Sequence, residues 1–158
     1  MGDVLRLMVP ADIPRIAEWM ASDVLWQRYQ LVPETIAADF ARGLARGDLI
    51  LVVDDKLPAS GFAWCLLEGM FGAFPYLKRF GVDPAFAGQG LGGLLLDGIE
   101  RELLIRQRRD LFLLVSDFNS DAQRFYQRHG YTEIGRIPDL VISGVSEVLF
   151  RKQLFGLS

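Results

Sequence analysis

The spacing of apolar residues predicts four amphipathic helices separated by short apolar runs. Ile13, Ile16, Ala17 and Met20 recur at helical intervals, and Gly47 follows a second periodic stretch that Pro33 opens. The other two helical patterns are Leu91, Leu95, Ile99 and Leu103, and then Ala122, Phe125, Tyr126 and His129. Strands are predicted at 5–9, 49–53, 59–67, 76–82, 111–115, 131–137 and 146–152.

The order of these elements predicts the fold class. One strand, two helices, three strands, a helix, a strand, a helix and two strands indicate an α+β fold. We expect a mixed, mostly antiparallel central sheet flanked by helices. The chain has 158 residues and contains no repeat or linker, so we predict a single domain over 1–158.

Charge and metal-ligating residues exclude several function classes. The chain carries 17 Lys and Arg against 20 Asp and Glu, a net charge of −3, which disfavours a nucleic-acid partner. With one cysteine, Cys65, and one histidine, His129, no His/Cys zinc site can form, and we expect no metal. No apolar run approaches the roughly 20 residues that span a bilayer, so we expect no membrane partner and a cytoplasmic location.

A glycine-rich segment between a predicted strand and a predicted helix is the first candidate binding site. Gly88-Gln89-Gly90-Leu91-Gly92-Gly93 places backbone amides at a helix N-terminus, an arrangement that binds phosphate groups. The glycines also match the dinucleotide pattern G-x-G-x-x-G, with Asp117 near the expected acidic position. That match is weak, because the segment does not follow the first strand of a doubly wound sheet.

Two motifs together resemble the GNAT superfamily of N-acetyltransferases. The first is Phe80-Gly81-Val82-Asp83-Pro84 running into Ala87-Gly88-Gln89-Gly90-Leu91-Gly92. The second is Asn119-x-x-Ala122-x-x-Phe125-Tyr126-x-x-x-Gly130-Tyr131, which matches the family's later helix completely. The resemblance covers nearly the whole chain and implies the GNAT-like fold, with acetyl-CoA as cosubstrate.

The resemblance also implies where acetyl-CoA binds. The backbone near Val82 would hold the pantetheine arm and polarise the thioester carbonyl, the glycine segment would hold the pyrophosphate, and Asn119 and Tyr126 would contact the arm and the sulfur. The implied cofactor-binding residues are Phe80, Gly81, Val82, Ala87, Gly88, Gln89, Gly90, Leu91, Gly92, Gly93, Asn119 and Tyr126. Ala87 stands where the family has Arg or Gln. Because backbone amides make most phosphate contacts, we expect binding to survive.

Three residues are candidates for the proton transfers. An unperturbed lysine amine is neutral in about one molecule in 2,500 at pH 7, so attack on the thioester needs a base. Glu68 and Asp117 end the strands on either side of the proposed site, and each is a candidate base acting through water. Tyr126 is protonated at neutral pH and could give its proton to the departing thiolate.

The sequence therefore favours acetyl transfer from acetyl-CoA to a primary amine by direct attack in a ternary complex. The alternatives are a non-catalytic CoA-binding regulatory module and, on the weak glycine match, a nicotinamide-dependent oxidoreductase. We expect the acceptor to be a small-molecule or peptide amine. Lys78 and Arg79 favour an acceptor that also carries a carboxylate, and an apolar wall formed by Trp26 and Tyr29 would favour one with an apolar body. Oligomeric state is left open, with a homodimer as one option.

Overall fold

A computed structural model describes residues 4–155 as a seven-stranded sheet with helices. The strands are β1 (Val4–Leu7), β2 (Leu49–Asp54), β3 (Gly61–Met70), β4 (Phe74–Val82), β5 (Asp110–Ser116), β6 (Thr132–Pro138) and β7 (Ser146–Gln153). The helices are α1 (Ile13–Ser22), α2 (Val24–Gln27), α3 (Pro33–Arg46), α4 (Leu91–Ile105) and α5 (Ser120–Arg128).

The strand order is β1-β2-β3-β4-β5-β7-β6. β1 with β2, β2 with β3, β5 with β7 and β6 with β7 pair antiparallel, whereas β4 and β5 pair parallel at Tyr76 with Phe112 and Leu77 with Leu113. The predicted α+β class with a mixed, mostly antiparallel sheet is confirmed.

Contacts within the chain cluster into two compact units. The first unit comprises the chain up to Cys65 together with Arg79–Ile99, and the second comprises Leu66–Lys78 and the chain from Glu100 onward. β3, β4 and α4 therefore each contribute residues to both units.

The core of the first unit is built from the amphipathic faces that the sequence predicts. On α1, Ile16 and Met20 are fully buried, and on α3 so are Ile36 and Phe40. Phe40 stacks on the β3 residue Trp64 with ring centroids 4.8 Å apart. Because burying apolar area is the main stabilising term, these faces hold the helices onto the strands.

An ion-pair network joins β1 to its neighbours in the first unit. Arg6 bonds the carboxylates of Asp12 and Asp54, each at 2.8 Å. The Arg6 hydrogen bonds hold the pKa of Asp54 below its usual value. For Asp12, burial by itself raises the pKa, but hydrogen bonds from Arg6 and the Val9 amide outweigh it, so the pKa is lowered as well.

The second unit is built on the ladder of β5, β7 and β6. Phe150 on β7 is fully buried, and Tyr126 of α5 packs on it with ring centroids 6.4 Å apart. Glu100 accepts hydrogen bonds from the Tyr131 hydroxyl at 2.9 Å and from Lys152 Nζ at 2.7 Å. These bonds fix the turn that leads from α5 into β6.

Two details differ from the predicted elements. The 22–32 stretch, which has no clear period, contains the one-turn helix α2, whose start Asp23 caps by accepting a hydrogen bond from the Leu25 amide. The β3 strand runs on to Met70, so Glu68 lies inside it rather than at its end. A Cβ at Gly69 would come within 3.0 Å of the Tyr76 Cβ, so glycine serves there as a strand residue in close packing, not as a turn.

Candidate active site

The segment between β4 and α4 begins at a well-anchored aspartate in the first unit. Asp83 is buried, and its carboxylate pairs with Arg15 at 2.7 Å and accepts a hydrogen bond from the Ala85 amide. The Asp83 amide donates to the Ser60 carbonyl at 2.8 Å. The start of the glycine segment is thereby fixed to two other elements of its unit.

The glycine segment itself is open. Residues 87–90 are exposed, and Gly88 and Gly90 have φ angles of 77° and 82°, the left-handed conformation that glycine adopts without strain. No atom lies within 4 Å of the position that a Cβ would take at either glycine. The first amides of α4, at Leu91, Gly92 and Gly93, have no partner within the helix, so the site fits an anion.

The last residues of β4 lie against aromatic side chains of the first unit. Phe80, Gly81 and Val82 are half-buried. A Cβ at Gly81 would approach Phe62 at 3.2 Å and Trp19 at 3.3 Å, so glycine lets these rings pack against the strand. The backbone hydrogen bonds that we predict from these three residues to CoA stay a prediction.

Arg79, also on β4, is held by partners that the sequence analysis did not identify. Its Nη2 donates to Asp39 Oδ2 at 3.0 Å, and its guanidinium lies 5.7 Å from the ring centroid of Trp64. Asp39 also pairs with Arg42. Arg79 is thus ion-paired inside the first unit, which weakens one of the two cations behind the prediction of an acidic acceptor.

The helix α5 presents the second motif in the second unit. Asn119 caps it as predicted, accepting a hydrogen bond from the Ala122 amide at 3.1 Å, and Gly130 follows with a φ of 90°. Tyr126 is only 7% exposed. Burial, and to a smaller extent the neighbouring Tyr76, raises the pKa of Tyr126 well above its usual value, so its phenol is protonated at neutral pH.

The two predicted bases have different surroundings. Glu68 is 64% exposed and pairs with Arg108 at 3.2 Å. Asp117 directly follows β5, and its Oδ2 accepts a hydrogen bond from the Ser146 amide at 3.0 Å. The structure thus brings Asp117 onto the same β5 to α5 segment as Asn119 and Tyr126, whereas Glu68 lies on β3.

A buried carboxylate that the sequence analysis missed lies on β7. Glu147 is 5% exposed and accepts a hydrogen bond from the Ser116 hydroxyl at 2.7 Å, across the ladder that pairs these two residues. Burial, and then the charge of Glu147, raises the pKa of the Tyr76 phenol. Because Glu147 and Ser116 are about 30 positions apart in sequence, only the β5 and β7 pairing reveals them as a pair.

The remaining two candidates have structural roles. Cys65 is fully buried, as expected for an apolar strand position. His129 is the C-terminal cap of α5 and lies edge-on to Phe125, with ring centroids 4.4 Å apart.

Within residues 4–155, no group of three or more His, Cys, Asp or Glu side chains could hold a metal ion. Over the same residues, no helix is long and apolar enough to cross a membrane. A cytoplasmic location stays a prediction.

Comparison with known proteins identifies the family. The sequence model described as "Acetyltransferase (GNAT) domain" matches residues 46–133, more than half of the chain. Among curated proteins, no sequence matches significantly.

Solved structures with the same fold are numerous, and three are informative. The protein yncA from Salmonella typhimurium, solved with its cofactor acetyl-CoA, has a TM-score of 0.78 at 20% identity, covering 100% of this chain and 97% of its own. The ribosomal-protein-S18-alanine N-acetyltransferase from Escherichia coli has a TM-score of 0.74 at 19% identity, with coverage of 99% and 97%. A chimera of the spermidine N-acetyltransferase SpeG from Vibrio cholerae and hSSAT has a TM-score of 0.79 at 14% identity, with coverage of 98% and 96%.

Proposed function

The chain belongs to the GNAT family of acetyltransferases, and from that premise we propose that it transfers the acetyl group of acetyl-CoA to a primary amine in a ternary complex. The observation that carries this proposal is the open glycine segment at the start of α4. The positive φ angles of Gly88 and Gly90 and the free space around them leave room for an anion against backbone amides.

The proposed CoA contacts follow the family motif residue by residue. The pyrophosphate binds to the amides of 87–93, where the positive end of the 15-residue helix α4 adds to the attraction. The backbone of 80–82 binds the pantetheine arm, and Asn119 contacts that arm. Ala87 supplies no side-chain donor, so the phosphate contacts rest on the backbone.

The reaction joins the amine nitrogen to the acetyl carbon and breaks the bond between that carbon and sulfur. We assign to Tyr126 the proton that the departing thiolate takes up. Burial makes its phenol a weaker acid than in water, so the transfer should accompany cleavage of the carbon–sulfur bond rather than precede it.

The acceptor must lose a proton before it attacks, and Glu68 and Asp117 remain the two proposed bases. The exposure of Glu68 supports exchange of a proton with water, although Arg108 competes for its carboxylate. The position of Asp117 beside the start of α5 supports a role near Tyr126, although one of its oxygens accepts a hydrogen bond from the Ser146 amide.

The acceptor is a small-molecule or peptide amine, and proteins of the same fold are named for acceptors of both kinds.

The direct test is release of free CoA thiol from acetyl-CoA in the presence of an amine panel. The panel contains a monoalkylamine, spermidine, an aminoglycoside, an amino acid and a short peptide with a free N-terminus. We expect amine-dependent release, with initial rates that give intersecting lines when both substrates are varied. CoA binding without thiol release for any amine would instead support the non-catalytic binding module.

A further inference from the structure

Glu147 is a buried carboxylate that has no cationic partner among residues 4–155. Its side chain is 5% exposed, and the Ser116 hydroxyl is its hydrogen-bond donor. Among residues 4–155, no Lys, Arg or His nitrogen forms an ion pair with it, although twelve other ion pairs are present there. Burying an unpaired charge is costly, so proteins usually pair such a charge with another group.

One oxygen of Glu147 is open. Ser116 bonds to Oε2, and Oε1 receives no hydrogen bond from residues 4–155. In that range the buried side-chain atoms without a partner are Asp55 Oδ2 and Arg79 Nη1. Glu147 Oε1 is not among them, so this oxygen keeps some solvent-accessible surface.

The phenols of Tyr76 and Tyr126 belong to the same unit as Glu147. Tyr76 is close enough for the carboxylate charge to raise the pKa of its phenol, and Tyr76 in turn raises that of Tyr126.

We propose that Glu147 Oε1 binds the ammonium group of the acceptor and takes one of its protons, so that the acceptor is an amine that is cationic in solution. This inference rests on the proposed acetyl transfer and names Glu147 as the base in place of Glu68 and Asp117. A proton passes from the nitrogen to Oε1, which leaves a neutral amine and a neutral carboxylic acid. The nitrogen lone pair then forms the bond to the acetyl carbon as sulfur leaves and takes up the Tyr126 proton. The nitrogen gives up its second proton, which restores the Tyr126 phenol, and the carboxylic acid returns its proton to solvent.

The main test is Glu147→Gln, which keeps an oxygen for the Ser116 hydroxyl but can neither attract a cation nor accept a proton. We expect kcat/KM for cationic amines of the panel to fall about 10²-fold, with the Kd for CoA and the Tm nearly unchanged. The matched control is Glu133→Gln in the same unit, an exposed carboxylate paired with Arg136, which should behave like the wild type.

A pair of small amines separates loss of the base from loss of structure. Ethylamine is protonated at pH 7, whereas 2,2,2-trifluoroethylamine is already neutral and needs no base. The rate ratio of Glu147→Gln to wild type should therefore be at least 10-fold lower with ethylamine than with the fluorinated amine. Equal ratios, or wild-type kcat/KM in Glu147→Gln, would overturn the inference and leave acetyl transfer standing.

An NMR titration of the wild-type protein tests amine binding at Glu147 without relying on turnover or on a variant. With carbon-13 in the glutamate carboxyl groups and CoA bound, the NMR signal of Glu147 should shift on titration with ethylamine or spermidine. If no amine of the panel supports turnover, the proposed function fails. The NMR titration then tests on its own whether an amine binds at Glu147. No shift of the Glu147 signal with any amine would overturn the inference. The titration uses the wild-type protein, so it tests the inference even when Glu147→Gln does not fold.

Discussion

One buried carboxylate of the second unit lacks the kind of partner that the largely buried charges of the first unit have. In the first unit, Arg79 is paired with Asp39, and Arg6 is paired with Asp12 and Asp54. In the second unit, Glu147 has a hydroxyl partner but no cation within residues 4–155. An ion pair offsets the cost of burying its charges and contributes to structure, whereas a carboxylate without a cation and with an accessible oxygen is available to a ligand.

The difference also separates two kinds of binding. The glycine segment of the first unit offers neutral backbone amides, which suit a phosphate and do not titrate. The second unit offers a carboxylate and two phenols, which can move protons. We therefore expect substitutions in the first unit to change CoA binding or stability, and substitutions around Tyr126 to change turnover.

The largest expected effect is on CoA affinity. Replacing Gly90 with Val places a side chain where no atom now lies, so it should block the pyrophosphate and weaken CoA binding about 10²- to 10³-fold by calorimetry. Gly47→Val is the matched control, because Gly47 has a similar φ of 81° and equally open surroundings. If both variants bind CoA equally well, the glycine segment does not hold the phosphates.

The next effect is on turnover alone. Tyr126→Phe removes the phenol proton but keeps the ring contacts with Tyr131 and Phe150, so kcat should fall about 10²-fold while the Kd for CoA stays constant. Rapid-quench kinetics must show that chemistry is rate-limiting. A normal kcat under those conditions would mean that Tyr126 only packs in the core and does not supply the proton that we assign to it.

The sequence predicts the local features of the site but not the contacts between residues that are far apart along the chain. The α5 motif is local, so Asn119, Tyr126 and the capping glycine lie where the pattern predicts them. Partnerships such as Arg79 with Asp39 and Glu147 with Ser116 join residues 40 and 31 positions apart, and no periodicity links them. Gly69 lies beyond the predicted end of the third strand at residue 67, whereas the structure places it inside β3, where it packs against Tyr76.

A smaller effect concerns the stability that the paired charges provide. Asp39→Ala leaves the largely buried guanidinium of Arg79 without its carboxylate and should lower the free energy of unfolding by about 2 kcal/mol in urea titrations. The control Glu133→Ala breaks an exposed pair and should change it by less than about 0.5 kcal/mol. Equal losses in the two variants would show that Arg79 does not depend on Asp39.

The Arg6 network should make stability fall in acid. Hydrogen bonds to Arg6 lower the pKa values of Asp12 and Asp54 in the folded protein, so their contribution is complete above the unfolded value of about 4. It should be lost as the pH falls through the lower folded values, at a cost of about 1 kcal/mol. In Arg6→Gln, urea titrations from pH 6 to pH 2 should show a flatter dependence, and an unchanged slope would contradict this assignment.

The smallest expected effect is the one that separates the two units most directly. Glu147→Gln removes a buried charge that has no cation among the described residues and keeps an oxygen for the Ser116 hydroxyl. Its free energy of unfolding should therefore stay the same or rise, by no more than about 1 kcal/mol, in contrast to the loss in Asp39→Ala. Urea titrations of both variants at pH 7 compare them directly. A loss in Glu147→Gln as large as that in Asp39→Ala would mean that the carboxylate stabilises the fold, and the contrast between the units would then be wrong.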